Sequence, residues 1–325
     1  MTTYLMKLSI ILPVYNESGS LDELYKEIKK SLEGAPFEYE IIAVNDGSKD
    51  ASKKVLENLA TGESNLKVIN FNKNYGQTAA IHAGIEHATG DVLVPMDSDL
   101  ENSPADIPFL LKKINEGYDV VSGWRQGRWK GNFFTRRLPS ILANKLISAI
   151  TGVKLHDYGC TLKAYRREVI QGTPLYGEMH RFIPAYASWQ GARITEILVR
   201  YQPRKHGKSN YGLSRTFKVL LDLVVIKFLS KYMKKPMHFF GGFGFISLVL
   251  GFFSGATALL LRIFNDVHFI RTPLPLLTVF LIMMGVLFIL MGILAEMLTR
   301  IYHEPQGKAT YGVSNKLNFD DTPRS

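Results

Sequence analysis

The chain has 325 residues, 46% of them hydrophobic, and carries 39 Lys and Arg against 29 Asp and Glu, a formal charge of +10. That length allows one large domain with additions or two modest ones, and the lone cysteine, Cys160, excludes an intrachain disulfide and agrees with a reducing compartment. Mean hydropathy is +0.01, an average that hides a strongly apolar C-terminal third.

The first apolar run ends at Pro13 and is followed by Asn16 and Glu17, which argues against a signal peptide. From there short β-branched runs alternate with helical stretches. Leu8–Leu12, Glu40–Val44, Leu66–Phe71, Asp91–Met96 and Tyr118–Ser122 read as strands. Ser20–Leu32, Ser52–Leu59, Thr78–Ala88 and Ile107–Asn115 read as helices. This alternation predicts an α/β fold with a mostly parallel sheet covered by helices. Ligands of such sheets bind beyond the carboxyl ends of the strands, so the loops Pro13–Glu17, Asn45–Asp50 and Asp97–Glu101 should converge on one crevice.

After Trp124 the pattern loosens. Trp124–Arg137 holds five basic residues and no acid, and a helix is predicted from Pro139 to Ile150. Between Arg204 and Lys235 nine Lys or Arg face one acid, Asp222. Arg215, Lys218 and Asp222 share one helical face, and Lys227, Lys231 and Lys234 share another about half a turn away. Residues 213–235 are therefore expected to form two interfacial helices, or one that breaks near Val224, on the membrane surface. An amphipathic pair packed on the domain is the alternative. Nucleic-acid binding is another use of a basic block, but the interleaved Leu, Val, Ile and Phe favour a membrane, and no nucleic-acid partner is expected.

Phe239–Leu261 and Thr272–Ala295 contain no Lys, Arg, Asp or Glu. Crossing a hydrocarbon core of roughly 30 Å takes about 20 helical residues. Two such runs joined by Arg262–Arg271 read as a pair of transmembrane helices, with a buried core helix as the bland alternative. Lys231, Lys234 and Lys235 before the pair, and Arg300 and Lys308 after it, place both termini in the cytoplasm by the positive-inside rule. The polar end, Lys316–Ser325, is expected to be disordered. The expected organisation is a catalytic domain over 1–212, surface helices over 213–235, a membrane region over 236–300 with spans near 239–261 and 272–295, and a cytoplasmic tail over 301–325.

The sharpest chemical signal is Asp97-Ser98-Asp99 after the run Val92–Met96. On an extended chain the two carboxylates point the same way, and Glu101 would continue that face. Such oxygens suit Mg²⁺ or Mn²⁺ whose other positions take substrate phosphates. Asp-x-Asp alone is also what a polar loop before a helix looks like, and Ser103-Pro104 resembles an N-cap with Pro at N1.

Context makes the difference. Ile10-Ile11-Leu12-Pro13-Val14-Tyr15-Asn16-Glu17, then Val44-Asn45-Asp46-Gly47-Ser48-Lys49-Asp50, then Asp97-Ser98-Asp99-Leu100-Glu101, resembles the nucleotide-binding half of family 2 glycosyltransferases in order and spacing. Asn74-Tyr75-Gly76-Gln77 and Ala88-Thr89-Gly90-Asp91 look like its polyprenyl-phosphate branch, which includes dolichyl-phosphate mannose synthases and bactoprenol glucosyltransferases. The resemblance covers about the first 210 residues and implies a GT-A (Rossmann-like) nucleotide-sugar domain, here followed by interfacial helices and two transmembrane helices.

The resemblance further implies that Pro13, Tyr15, Glu17, Val44, Asp46 and Ser98 line the nucleotide site, that Asp97 and Asp99 are catalytic, and that Asp97, Asp99 and Glu101 hold Mg²⁺ or Mn²⁺. Many relatives have Gln where this chain has Glu101. Arg125 should meet the donor diphosphate, Arg136 (or its neighbour Arg137) the acceptor phosphate, and Arg204 and Lys208 resemble a phosphate-clamping loop. Arginine suits these places because its planar fork pairs bidentately with phosphate oxygens, although a single arginine, such as Arg128 or Arg137, is as readily a solvated charge. Asp157, in His156-Asp157-Tyr158-Gly159-Cys160, matches the catalytic acceptor-side acid. A phosphate monoester has a second pKa of about 6, so the nucleophile is already largely a dianion and a general base has little to add. Asp157 is therefore expected chiefly to orient sugar or acceptor.

The implied reaction inverts the anomeric carbon and moves a sugar from a nucleotide donor, UDP-glucose by preference, to undecaprenyl phosphate in the bacterial inner membrane. Mannose, N-acetylglucosamine and aminoarabinose-related donors are alternatives. His180 and Arg181, near Trp189-Gln190, lie where processive members carry Gln-x-x-Arg-Trp; its absence argues against a polysaccharide synthase. A non-catalytic partner of a lipid-sugar flippase is the other competing reading, and intact Asp97, Asp99 and Asp157 speak against it. Homo-oligomer assembly and a downstream flippase remain open as partners.

Overall fold

The computed structural model describes residues 6–125, 138–171, 175, 179–203, 236–302 and 313–317. Two compact units are present, Met1–Leu223 together with Ala309–Ser325, and Val224–Lys308.

The first unit follows the predicted alternation. Its elements are β1 (Leu8–Val14), α1 (Leu21–Ser31), β2 (Tyr39–Asn45), α2 (Ser52–Gly62), β3 (Leu66–Phe71), α3 (Gln77–His87), β4 (Val92–Pro95), α4 (Ile107–Asn115), β5 (Val120–Trp124), α5 (Leu138–Thr151), β6 (Lys163–Arg166), α6 (Arg167–Ile170), α7 (Ile183–Trp189) and β7 (Ile194–Leu198). Every residue of β1 is buried, as an interior strand covered on both faces requires. In α1, Leu21, Leu24, Tyr25 and Ile28 form the buried stripe at helical spacing, while Asp22 and Glu23 open the helix and Lys29 and Lys30 close it, matching its dipole. On α3, Gly84 lets the helix settle on β1: a Cβ there would lie 2.3 Å from Ile11 Cγ2.

The sheet has eight strands in the order β7-β5-β6-β4-β1-β2-β3, closed at one edge by β8 (Val313–Leu317). The β1/β2, β1/β4, β2/β3 and β5/β7 pairs are parallel, whereas β6 runs antiparallel between β4 and β5, and β8 runs antiparallel to β3. The sheet is thus mixed rather than mostly parallel. The end of the chain also departs from expectation, because Lys316 and Leu317 belong to β8, paired with Ile69 and Val68. A polar segment can supply an edge strand, since ladder bonds come from the backbone.

The second unit contains α8 (Pro236–Phe264) and α9 (Leu274–Tyr302). Met237–Phe264 and Leu274–Ala295 are long and apolar enough to cross a membrane. They touch through small residues: a Cβ on Gly285 would lie 2.7 Å from Leu248 Cγ, and one on Gly244 would lie 2.9 Å from the Gly285 carbonyl oxygen. Thr278 Oγ1 donates to Ser254 Oγ at 3.1 Å across the same contact. The outer faces are bare, with Phe252 70% and Leu276 77% exposed, an arrangement that water does not favour. The expected surface helices at 213–235 lie outside the described residues.

Candidate active site

β1, β2 and β4 end side by side, and the loops that leave them are tied together by hydrogen bonds. Ser98 Oγ donates to the Pro13 carbonyl at 2.9 Å, and the Ser98 carbonyl accepts from Ser20 Oγ at 2.7 Å. Lys49 N donates to Asn16 Oδ1 at 2.8 Å, Asn16 N to Ser48 Oγ at 3.0 Å, and Glu17 N to Ser52 Oγ at 2.9 Å. The convergence expected from strand polarity is therefore present.

Each expected nucleotide residue has a definite place. Tyr15 stands exposed at the mouth and Glu17 is half-buried beside it, whereas Pro13 and Val44 are buried, Val44 completely. The Val44 side chain accordingly packs in the interior of β2 and does not line an open surface. Asp46 is buried, and its carboxylate organises the loop after β3, accepting from Tyr75 N at 2.6 Å, Gly76 N at 2.9 Å and Asn74 Nδ2 at 3.0 Å. Burial pushes its pKa up, against the pull of the two backbone donors. The loop approaches so closely that a Cβ on Gly47 would lie 2.4 Å from the Lys73 carbonyl carbon, and Gly47 itself has φ of +62°.

The Asp97–Glu101 segment is not extended. Leu100 has φ of +62°, a left-handed conformation that a bulky residue adopts at a cost of about 1–3 kcal/mol, and Leu100 is packed into the core. Asp99 Oδ1 accepts from Glu101 N at 3.0 Å and fixes the bend. Beyond the bend the Glu101 carboxylate lies 3.6 Å from Arg125, an ion pair that the sequence pattern did not indicate. Asp97, half-exposed, accepts from Gln77 Nε2 at 2.6 Å, a contact that sequence reasoning left without a role although Gln77 closes the Asn-Tyr-Gly-Gln motif.

Arg125 forms the bridge to the other side of the crevice. Its Nε donates to Asp157 Oδ2 at 2.8 Å and Nη2 to Asp157 Oδ1 at 3.2 Å, in fork-on-carboxylate geometry. Burial is the largest single influence and would lower the guanidinium pKa, but the Asp157 charge and hydrogen bond, with Cys160 and Asp97, together outweigh it and the net shift is upward. The Asp157 loop rests on α5, where Asn144 Nδ2 donates to the His156 carbonyl at 2.7 Å and Thr151 Oγ1 meets the Tyr158 hydroxyl at 2.9 Å. Lys163 supports it from below, with its ammonium on the Tyr158 carbonyl at 3.2 Å and on the Cys160 carbonyl. A lysine at the start of β6, followed by Ala164 and Tyr165, is the sequence signal for that support. Tyr201 bridges Asn102, and Gln202 N donates to the Glu101 carbonyl at 3.0 Å, so the chain leading to Arg204 starts beside the carboxylates. Arg136, Arg204 and Lys208 themselves lie outside the described residues.

Among the described residues no three His, Cys, Asp or Glu side chains converge as a metal cage. The hard oxygens of Asp97 and Asp99 suit a divalent cation that keeps positions for substrate phosphates, because Mg²⁺ is commonly held by one or two carboxylates plus those phosphates.

Glycosyl transferase family 2 matches residues 9–172. The chain belongs to that family. It is 39% identical to the dodecaprenyl-phosphate galacturonate synthase of Rhizobium johnstonii, over 97% of this chain and 94% of that protein. It is also 36% identical to the undecaprenyl-phosphate 4-deoxy-4-formamido-L-arabinose transferase of Klebsiella pneumoniae, over 99% of this chain and 98% of that one. The fold is shared with glucosyl-3-phosphoglycerate synthase of Mycobacterium tuberculosis, solved with Mn²⁺, UDP and glucosyl-3-phosphoglycerate, at TM-score 0.54 and 18% identity over 69% of this chain and 79% of that chain. The family 2 domain on the GT-A fold expected from the sequence is thus present. The glucose preference is corrected, since these full-length relatives are named for galacturonate and a formamido-arabinose.

Proposed function

We propose that this family 2 glycosyltransferase moves a sugar from a nucleoside diphosphate donor to a polyprenyl phosphate at the bacterial inner membrane, and that the sugar is of the uronic acid or 4-amino-arabinose kind. The reading is carried by full-length similarity to two polyprenyl-phosphate sugar transferases, membrane-length helices included. In this reading α8 and α9 anchor the enzyme, and the catalytic unit and both termini are cytoplasmic.

Tyr15, Glu17 and Asp46 bind the nucleoside, Asp46 by holding the Asn74–Gly76 loop in place as much as by direct contact. Pro13 and Ser98 join the floor of that site through their own hydrogen bond. Asp97 and Asp99 would hold Mg²⁺ or Mn²⁺, which when bound neutralises charge on the leaving diphosphate. Glu101, 3.6 Å from Arg125, helps to fix that guanidinium and stands next in line to the metal carboxylates. Asp157 orients the acceptor or sugar. Both its oxygens are engaged by the Arg125 fork, which leaves it poorly placed to take a proton that a phosphate dianion no longer carries. Rate gain then comes from positioning and from charge stabilisation at the leaving group. Arg136, Arg204 and Lys208 remain the proposed phosphate contacts.

The deciding experiment incubates purified protein in lipid nanodiscs with polyprenyl phosphate, Mg²⁺ or Mn²⁺ and a panel of labelled UDP- and GDP-sugars. A labelled glycolipid from a uronic acid or aminoarabinose-type donor is expected. No glycolipid from any donor would remove the enzymatic reading.

A further inference from the structure

The loop that carries Asp157 is gripped from two sides, and one of those grips has no part in the mechanism above. Glu196 lies on β7, at the opposite end of the sheet from β8, where Ser122 pairs with Glu196 and Trp124 with Leu198. Residues two apart on a strand share a face, so Glu196 and Trp124 project to the same side of the sheet. His156 meets both. Its N–H donates to Glu196 Oε2 at 2.9 Å, and its ring Nδ1 pairs with Glu196 Oε1. The ring stacks on Trp124, with centroids 4.2 Å apart and planes at 15°. From the other side α5 holds the peptides around Asp157. Asn144 Nδ2 donates to the His156 carbonyl at 2.7 Å, and Asn144 Oδ1 accepts from Tyr158 N at 3.3 Å.

The Glu196 grip is aligned with the catalytic contact. Trp124 precedes Arg125 and His156 precedes Asp157, so the ring stack and the Arg125–Asp157 fork are neighbouring rungs between the same two segments. One hydrogen bond leaves a loop free to pivot, whereas two from one residue to one carboxylate fix its orientation. The His156 side chain is 64% exposed and that of Glu196 19%, so their pair adds little to folding stability. What the pair does fix is the direction in which the next residue leaves. A shift of about 1 Å at a reacting group costs about 10²-fold in rate.

We infer that Glu196 is a positioning residue: through His156 and its stack on Trp124 it sets the Asp157 carboxylate against Arg125 for the transfer step. The inference rests on the reading of Asp157 as the residue that orients sugar or acceptor in a nucleotide-sugar transferase.

The experiment uses the full chain in nanodiscs, with undecaprenyl phosphate and labelled UDP-galacturonate or UDP-4-deoxy-4-formamido-L-arabinose, whichever wild type turns over. It measures kcat, UDP affinity and melting temperature for wild type, Glu196→Ala, Glu196→Gln and Asp119→Ala. Asp119 is the matched control at the opposite end of β5, where it accepts from Arg193 N at 2.7 Å and pairs with Arg166 at 3.4 Å. Glu196→Ala is expected to lower kcat about tenfold with UDP affinity unchanged. Glu196→Gln keeps an oxygen for His156 and should recover most of that loss. Asp119→Ala should lower the melting temperature at least as much and leave kcat alone. In an Asp157→Asn background Glu196→Ala should change kcat by less than about twofold, because residues that act as one unit are not additive. An unchanged kcat in Glu196→Ala overturns the inference, and so does the same fold loss in both backgrounds or in Asp119→Ala. Wild type that turns over neither donor would instead sink the transferase reading, and the inference with it.

Discussion

Asp157 and Arg125 hold each other in a two-bonded contact, and their roles can be separated by mutation. Asp157→Asn keeps the shape of the carboxyl group but removes the charge facing a buried guanidinium. Turnover should fall by about 10²-fold or more while donor affinity is retained, which steady-state and binding assays on the same preparation would check. Recovery of the variant's turnover at high pH would instead assign Asp157 as a base. Glu40 offers a pH test of stability. Burial would raise its pKa, but hydrogen bonds from Ser9, Thr89 and Lys67 outweigh this and bring it to about 2, below the ordinary carboxylate value. A depressed pKa contributes stability above the unfolded value of about 4.3 that is lost as pH falls towards 2. Glu40→Gln should thus lower the melting temperature at pH 7, by the equivalent of about 2 kcal/mol, and the gap from wild type should narrow below pH 4 in thermal melts. Asp97, Asp99 and Asp157 could be picked out in the sequence because motif order marks them. The bend between Asp99 and Glu101 could not, because it follows from Leu100 being drawn into the core in a left-handed conformation.

At the scale of elements, two close approaches depend on glycine. Gly47→Ala places a methyl 2.4 Å from the Lys73 carbonyl carbon at a φ of +62°, so the Asn74–Gly76 loop has to move off Asp46. A loss of about 1–3 kcal/mol in stability, with weaker UDP binding, is expected in melts and calorimetry. Gly285→Leu drives a side chain into Leu248 and the Gly244 carbonyl, where α8 and α9 meet. The variant should still insert into membranes, since its apolar length is unchanged, but melt at a lower temperature in detergent. Strands and helices of the first unit were legible as far as α5 because their periodicities differ, whereas the short β6, α6, α7 and β7 were not. The direction of β6 was not, since a four-residue strand reads the same in either sense.

For the whole molecule, the proposed reaction needs a divalent cation at the carboxylates of the first unit. Chelation by EDTA should abolish transfer and added Mg²⁺ or Mn²⁺ restore it, with nucleoside binding only weakened, because the carboxylates alone do not form a metal cage. Val313–Leu317, beyond the helix pair in sequence, add β8 to the sheet edge, so these residues belong to the fold of the first unit.

Periodicity, charge distribution and motif order in the sequence were enough to determine the α/β class, the pair of membrane-length helices, the family and the carboxylates at the strand ends, because each is a local pattern written along the chain. Only the tertiary structure decided what meets across it: Arg125 with Asp157 and Glu101, Gln77 with Asp97, and Lys163 beside His180 and Arg181. Those contacts join residues separated by 17 to 32 positions, and their geometry is set by how the strands and their loops pack around β4, which no local pattern records.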